Sequence, residues 1–543
     1  MSVACKQIAR RTCSSLVCDI RSSMAFTVFE NKLFLFVALT SLINGCVASK
    51  ILVVVPAPSI SHQKPFHILT KALLQRGHQV TLFTANPMNM LHENLTEIDL
   101  SVGYKIFKEV DLVEAARQTP VESLPLIREP AKTFVRWQLS EPAVQDFIKG
   151  NHTFDLVIME LMPFQAFYGL VHKVGSPPLV GMITLSAFAP NYLSLGNPMN
   201  PAYVPDVWVG YSDHMNFWQR LYNTYFYLVF YYTWYFDILP NQEAIRREYF
   251  GPDGPPVYDT NRNFSLFILN NHFATEYPRP HLPSVVEITG IHIEAQATPL
   301  PKNIQEFMDG AEHGVIYFSL GSNVKSNALP WEKIQAFLDA FRELPQRVLW
   351  KWENDSLPGQ PDNVMINKWL PQQGVLSHPK VRLFITQGGL QSMNEATYHA
   401  VPFLAIPFFS DQAHNAAKIV QAQLGVRLDF EDVTKETLLR SSRSVLEDPK
   451  YRENMRRMSA IFREHQADSL ERAVWWVEYV IRHKGAPHMR SAALDLHWWQ
   501  FLLLDVIAFI LVAATAVAGA TFYLGRGVIV TVKKGFRQKQ KKQ

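Results

Sequence analysis

The chain has 543 residues, of which 48% are apolar and 18% charged, and its formal net charge is +4. That balance excludes a disordered chain and fits a globular protein that also carries a membrane segment. Much of the basic excess lies in the last eleven residues, so no nucleic-acid surface is expected.

Residues 1–23 are basic and cysteine-rich, and Met24 is an alternative start. From Met24 the pattern reads as a secretory signal. Lys32 precedes an apolar core from Leu33 to Ile43, and Cys46-Val47-Ala48 offers a small-residue cleavage site. An uncleaved anchor is the rival reading, although the apolar core is short for a span. Cys5, Cys13, Cys18 and Cys46 all precede the site. The mature chain would then contain no cysteine, which excludes a disulfide framework, a thiolate metal site and a cysteine nucleophile.

Lys50 to Val55 reads as a buried parallel strand. A loop from Pro56 to His62 follows, and Pro65 opens a helix with Phe66, Leu69 and Leu73 on one face. Gly77-His78 ends that helix and Val80 to Phe83 is the next strand, which completes a βαβ unit. His62 lies on its strand-to-helix loop; His67 and His78 read as surface histidines. Phe154 to Met159, ending at Glu160, and Pro178 to Ile183 are further buried strands.

Phe217 to Phe236 holds twelve aromatic residues. Gln219, Arg220 and Asn223 argue against a transmembrane helix there. A membrane-interface helix suits the tryptophans and tyrosines, and an ordinary core helix is the alternative. Phe264 to Asn270 reads as a strand, and the proline-rich Tyr277 to Pro283 as an interdomain connection, which puts a boundary near residue 290. Val315 to Ser319 opens a second domain and leads into Leu320-Gly321-Ser322. A helix from about Pro330 to Leu344 and a strand at Val348 to Trp350 follow. This alternation predicts a second doubly wound sheet. Neither a dinucleotide fingerprint nor a P-loop pattern occurs.

Residues 382–412 concentrate the chemistry. Leu383 to Thr386 is an apolar strand, Gln387-Gly388-Gly389 a tight turn, and Leu390 to His399 a helix. Val401 to Phe409 is a second apolar run, and Ser410-Asp411-Gln412 a polar loop beyond it. A glycine turn admits close approach to a ligand, and a helix N-terminus beside it suits a phosphate. Glu395 can accept from ribose hydroxyls, and Asp411 and Gln412 can hold a sugar.

Helices around Tyr451–Phe462 and Leu470–Arg482 close the second domain. Trp498 to Leu524 is long enough for one transmembrane helix, and no charge lies between Val506 and Leu524. Trp498 and Trp499 mark one interface; Lys533, Lys534, Arg537, Lys539, Lys541 and Lys542 place the tail in the cytosol. The last five residues fit a Lys-x-Lys-x-x retrieval pattern, or simply a basic stop-transfer flank. Asn94, Asn151, Asn263 and Asn354 are glycosylation acceptors; Asn263 is the weakest because it starts a predicted buried strand.

The 382–412 stretch closely resembles the signature of the UDP-glycosyltransferase family, in its invertebrate form, and Glu471 to Gly485 also resembles that family. The family pattern usually has His at Gln387 and often Asn at Gln391. The resemblance implies an α/β fold of two Rossmann-like doubly wound domains (GT-B architecture) plus one C-terminal transmembrane helix. The expected division is an N-terminal extension and signal over 1–48, an acceptor-binding domain over 49–290 and a UDP-sugar-binding domain over 291–490. The membrane helix then covers 498–525 and a basic tail 526–543.

By resemblance, His62 is the catalytic base and Glu160 stands where a helper Asp is common; Asp155 is the alternative helper. Trp369 would stack on uracil with Gln372 beside it. Ser322, Gln387, Gly388 and Gly389 would face the diphosphate, Glu395 the ribose, and Asp411 and Gln412 the sugar, with Gln391 also on the donor side. The chain has no Asp-x-Asp pair, so a metal-free, inverting displacement without a cofactor is expected. Glucuronate users have Arg where this chain has Asn270, which favours UDP-glucose. Small lipophilic alcohols or phenols are the expected acceptors, the aromatic 217–236 segment a candidate acceptor lining, and detoxification or hormone and pigment conjugation the context. The expected location is the endoplasmic-reticulum membrane, type I, with lumenal catalytic domains and a possible homo-oligomer. Gln387 and Glu160 leave open a catalytically weak lipophile-binding protein on the same fold.

Overall fold

A computed structural model describes residues 48–107, 112–294 and 296–541. The signal-sequence reading, all four cysteines and the last two residues of the retrieval pattern lie outside the described residues.

Two parallel sheets form the frame. The first contains β1 (Lys50–Val55), β2 (Gln79–Thr84), β3 (Leu95–Asp99), β4 (Leu156–Glu160), β5 (Leu179–Ile183), β6 (Leu266–Leu269) and β7 (Val285–Glu287). Their order is β3-β2-β1-β4-β5-β6-β7, with every pairing parallel. The second contains β8 (Val315–Ser319), β9 (Arg347–Lys351), β10 (Val364–Asn367), β11 (Val381–Thr386), β12 (Phe403–Ala405) and β13 (Gly425–Arg427), in the order β10-β9-β8-β11-β12-β13. Continuous apolar runs such as Ile51–Val55 and Ile316–Phe318 are almost fully buried, as strands covered on both faces require. Strand order reverses between β1 and β4 and again between β8 and β11. Ligands bind beyond the carboxyl ends of strands at such points.

Several elements differ from the sequence expectation. The first helix runs Ile60–Gln75, so His62 lies in its first turn and Pro65 inside it. The strand expected across Val401–Phe409 is only Phe403–Ala405; Pro407 has no N–H for a ladder. The edge strands β3 and β13 carry half-exposed polar residues and so lack an apolar run to betray them. His78 is only 1% exposed: its Nδ1 accepts from the Ser49 N–H and its Nε2 lies 3.5 Å from Glu478. His67 is half-buried; burial, then Lys71, pulls its pKa down to about 4.

Helix Ser469–Arg482 follows the second sheet in sequence but packs on the first. Ala473, Val474, Val477 and Val480 join a core with Ile51, Phe66, Leu69 and Leu73, and Arg76 pairs with Glu471 at 2.5 Å. Helical spacing shows that a face is apolar; it does not show which sheet covers it.

The aromatic helix Phe217–Thr233 runs on through a π turn, Trp234–Ile238. Phe226, Phe230 and Trp234 enter the core, while Trp218, Leu228, Tyr232 and Phe236 form an opposite, exposed face. The core reading therefore describes one side of this helix, and the other side is exposed. Trp498–Phe501 is a separate short helix, broken from Leu504–Gln540 by Leu503 at φ +55°. The helix Leu504–Gln540 has 37 residues, is long and apolar enough to cross a membrane, and buries none of its residues in the protein. At 1.5 Å per residue it is about 55 Å long, more than the ~30 Å of a hydrocarbon core, so its lysine-rich end extends past the apolar layer.

Candidate active site

The β1/β4 reversal brings His62 and Glu160 together. Glu160 ends β4 beside Val55, the last residue of β1, and the helix that carries His62 starts five residues after that strand. His62 Nδ1 donates to Glu160 Oε1 at 2.6 Å. The Ala57 N–H donates to Glu160 Oε2 at 3.0 Å. Glu160 is 1% exposed, so both of its oxygens have fixed donors in a dry site. This holds the proton on Nδ1 and leaves Nε2 as the lone-pair nitrogen, on a residue that lines the cleft between the sheets. Asp155 instead accepts from the Lys50 N–H at 2.8 Å at the other end of β4. Glu160, not Asp155, is the carboxylate that meets the histidine.

The β8/β11 reversal supplies the facing wall. Ser322 and Gln387 to Gln391 lie there, beyond the carboxyl ends of β8 and β11. Gly388 has φ +84°, and the Asn415 side chain donates to its carbonyl at 2.9 Å. The Gln387 amide packs on Gly321, whose φ of +77° favours glycine; a Cβ there would stand 2.6 Å from the Gln387 Nε2 and push that side chain aside. Gln387 Oε1 is buried with no hydrogen-bond partner among the described residues. Gly389 caps helix Leu390–Tyr398, whose first N–H groups face the turn.

Asp411 and Gln412 open helix Gln412–Gln421 on the same cleft. Asp411 accepts from Asn415 at 2.8 Å, and burial raises its pKa despite that bond. Gln412 Oε1 accepts from the N–H groups of Phe408 and Phe409 at 2.8 and 3.2 Å, so its amide nitrogen is the end left for a ligand.

Trp369, 58% exposed, walls the adjoining part of the cleft with Tyr317, Lys351 and Gln372. Glu395 lies at its floor. Its carboxylate accepts from Gln372 at 2.6 Å and Gln373 at 3.2 Å, and burial raises its pKa. His292 stands 3.5 Å from Glu395 and is fully buried; burial, then Lys64, lowers its pKa to about 3, so it stays neutral. Sequence reasoning missed Tyr317, Lys351, Gln373, Asn415 and His292. Only Asn415 sat in a quotable pattern, one helical turn after Asp411.

Two other expectations resolve differently. Asn270 is buried: it donates to the Thr184 carbonyl at 2.9 Å and accepts from the Gly290 N–H at 3.3 Å, so it does not line this cleft. Asn263 is exposed, because β6 starts at Leu266 rather than at Phe264, and Asn151 and Asn354 are exposed as well.

Two parallel α/β sheets facing one cleft define a class of protein, the GT-B glycosyltransferases. The fold matches that of a UDP-glucosyltransferase from Polygonum tinctorium capable of glucosylating indoxyl, with a TM-score of 0.54 and 17% identity over 80% of this chain and 99% of that one. A family model described as "UDP-glucoronosyl and UDP-glucosyl transferase" matches residues 169–542. UDP-glucosyltransferase 2 from Dactylopius coccus is 38% identical over 503 residues, 92% of this chain and 96% of that protein. Human UDP-glucuronosyltransferase 1A8 is 33% identical over 527 residues, 92% and 95% of the two chains. The chain belongs to the UDP-glycosyltransferase family, whose members move a sugar from a UDP-sugar to an acceptor.

Proposed function

We propose that the chain transfers a hexose, preferably glucose, from its UDP-sugar to a hydroxyl of a small lipophilic acceptor, with inversion and without a metal. The observation that carries this reading is the buried His62–Glu160 pair on the cleft. His62 Nε2 takes the acceptor proton. The freed oxygen attacks the anomeric carbon from the face opposite the diphosphate, and the bond to UDP breaks with its electron pair on the leaving phosphate oxygen. Glu160 stabilises the imidazolium. Trp369 stacks on uracil, and Glu395, steered by Gln372, meets the ribose. Ser322, the Gly388-Gly389 turn and Gln387 take the diphosphate. Asp411 and the Gln412 amide hold the sugar.

A neutral amide at Gln387 stabilises the leaving diphosphate less than a cationic histidine does. Glucose is favoured by the name of the Dactylopius relative and by the commitment of Lys418, near Asp411, to Glu276. The tryptophans before the apolar helix and the exposed sequons support a type I endoplasmic-reticulum protein with its domains in the lumen. The exposed aromatic face of helix Phe217–Thr233 is read as a second contact with that membrane.

The test uses microsomes carrying the full chain, given UDP-glucose or UDP-glucuronate with a panel of phenols and steroids, beside His62→Ala. Glucoside from the parent, none from the variant and no effect of a chelator are expected. Faster turnover of UDP-glucuronate overturns the sugar assignment. Binding of UDP and acceptor without product from the parent would favour a lipophile-binding role.

A further inference from the structure

Pro65 is the sixth residue of helix Ile60–Gln75 and is buried. An interior proline has no N–H to offer the carbonyl four residues back, and its ring pushes that carbonyl outward. Here the carbonyl belongs to Ser61, the residue before His62. It finds its donor across the cleft: Gln391 Nε2, from the first turn of helix Leu390–Tyr398, donates to the Ser61 oxygen. Two weaker ties lie alongside. Ser59 Oγ donates to Asn323 Oδ1 at 3.3 Å, and Lys64 Nζ is 3.9 Å from Glu395. The Ser61–Gln391 bond therefore joins the backbone beside the histidine to the helix that follows the Gly388-Gly389 turn.

We propose that Pro65 is a positioning residue: by withholding an N–H it reserves the Ser61 carbonyl for Gln391, and this cross-cleft bond sets His62 against the reacting carbon of the donor. The inference rests on the reading of His62 as the base. Any other residue at 65 supplies an N–H at helical distance. Ser61 is then satisfied within its own helix, and the bond to Gln391 must compete with a local one. Proline is also the least favourable residue inside a helix. Replacing it should therefore strengthen the helix while loosening the site.

Pro65→Ala and Pro65→Val, which keeps more of the ring's volume, are made in the full-length chain. Both should unfold at or above the parent temperature and keep the donor KM within about twofold. Their kcat should fall about three- to tenfold, the scale of one net hydrogen bond. A proline needed only for packing would lower stability and turnover together. Gln391→Leu should lower kcat in the parent and add little in the Pro65→Ala background. In hydrogen–deuterium exchange, Gln391→Leu should raise exchange across residues 56–66 only when Pro65 is present. Parental kcat in both proline variants, lower stability in both, or equal Gln391→Leu losses in the two backgrounds would overturn the proposal. If His62→Ala keeps parental turnover, the base reading falls by itself, and the exchange comparison still decides whether Pro65 directs the bond.

Discussion

Replacing Glu160 by Gln asks what the buried carboxylate does for His62. The carboxylate has two fixed donors, His62 Nδ1 at 2.6 Å and the Ala57 N–H at 3.0 Å. A glutamine has one oxygen and one NH2 for the same two places. The Ala57 N–H can only donate, so it claims the oxygen and turns the NH2 toward His62. Nδ1 must then accept, and the ring proton moves to Nε2, the atom that should take the acceptor's proton. Shape, burial and hydrogen-bond number are conserved, so stability should change by less than about 1 kcal/mol. Catalysis should not survive as well. General-base action contributes about 10²–10⁴-fold, or ~3–5 kcal/mol of barrier, and kcat should fall by that order with UDP affinity unchanged. Glu160→Ala is the poorer test, because it strands the Ala57 N–H at about 1–3 kcal/mol and opens a void. Glu160→Asp keeps the charge one methylene short and should fall between parent and Gln. The assay is initial-rate glucoside formation, with UDP binding measured by calorimetry on the same preparations. A Glu160→Gln enzyme with parental kcat would refute the tautomer argument.

Trp369→Ala should weaken UDP binding about 5- to 150-fold, because stacking of a base on an aromatic ring contributes ~1–3 kcal/mol; unchanged calorimetric affinity would remove Trp369 from the uracil site. Lys418→Met tests the buried cluster in which Lys418, His414 and Arg279 surround Glu276. Burial opposes ionisation of Glu276, but Lys418 and then His414 and Arg279 more than offset it, and its pKa lies well below the usual range. Losing Lys418 should cost about 3 kcal/mol in denaturant unfolding, and a loss under about 1 kcal/mol would show that Arg279 and His414 suffice. Acid should destabilise the fold through His292 and His414, whose pKa values burial lowers to about 3 and about 4. Below about pH 6.5 the unfolded histidines bind protons that the folded ones refuse until about pH 4 for His414 and about pH 3 for His292, so stability falls as pH falls across that window, by about 2 kcal/mol for each at pH 5. Replacing either with an uncharged residue should flatten the slope of Tm against pH, and an unchanged slope would contradict burial as its cause.

How legible was the site? His62, the Gln387-Gly388-Gly389 turn and Asp411-Gln412 each follow a strand or open a helix, and a linear pattern exposes such positions; Glu395 lies inside the helix that the turn opens. Glu160 was readable as the last residue of an apolar run. Its pairing with His62 came only from the family resemblance, because that contact depends on β1 and β4 being neighbours although the two residues are 98 positions apart in the chain. His292, Lys351 and Tyr317 come from three further segments and are gathered only by packing. Pro65 misled the reading of the helix start, since a proline at a first turn and one inside a helix look alike in sequence. The bonds of Asn270 to Thr184 and Gly290 could not be read from the sequence, because they join three separate segments.

By itself the sequence determined the elements whose cause is local. Apolar runs can be satisfied only as covered parallel strands, glycine turns permit close approach to an anion, and one long uncharged helix near the end of the chain suits a bilayer. Tertiary structure alone decided which of these meet. Strand order put the carboxylate under the histidine and brought the two glycine-rich turns to one cleft. It also carried helix Ser469–Arg482 back onto the first sheet and chose the carbonyl that Gln391 answers. The physical reason is that burial and hydrogen bonding specify what kind of partner a group needs. Which partner it receives depends on the packing of the whole chain, and no residue carries that information locally.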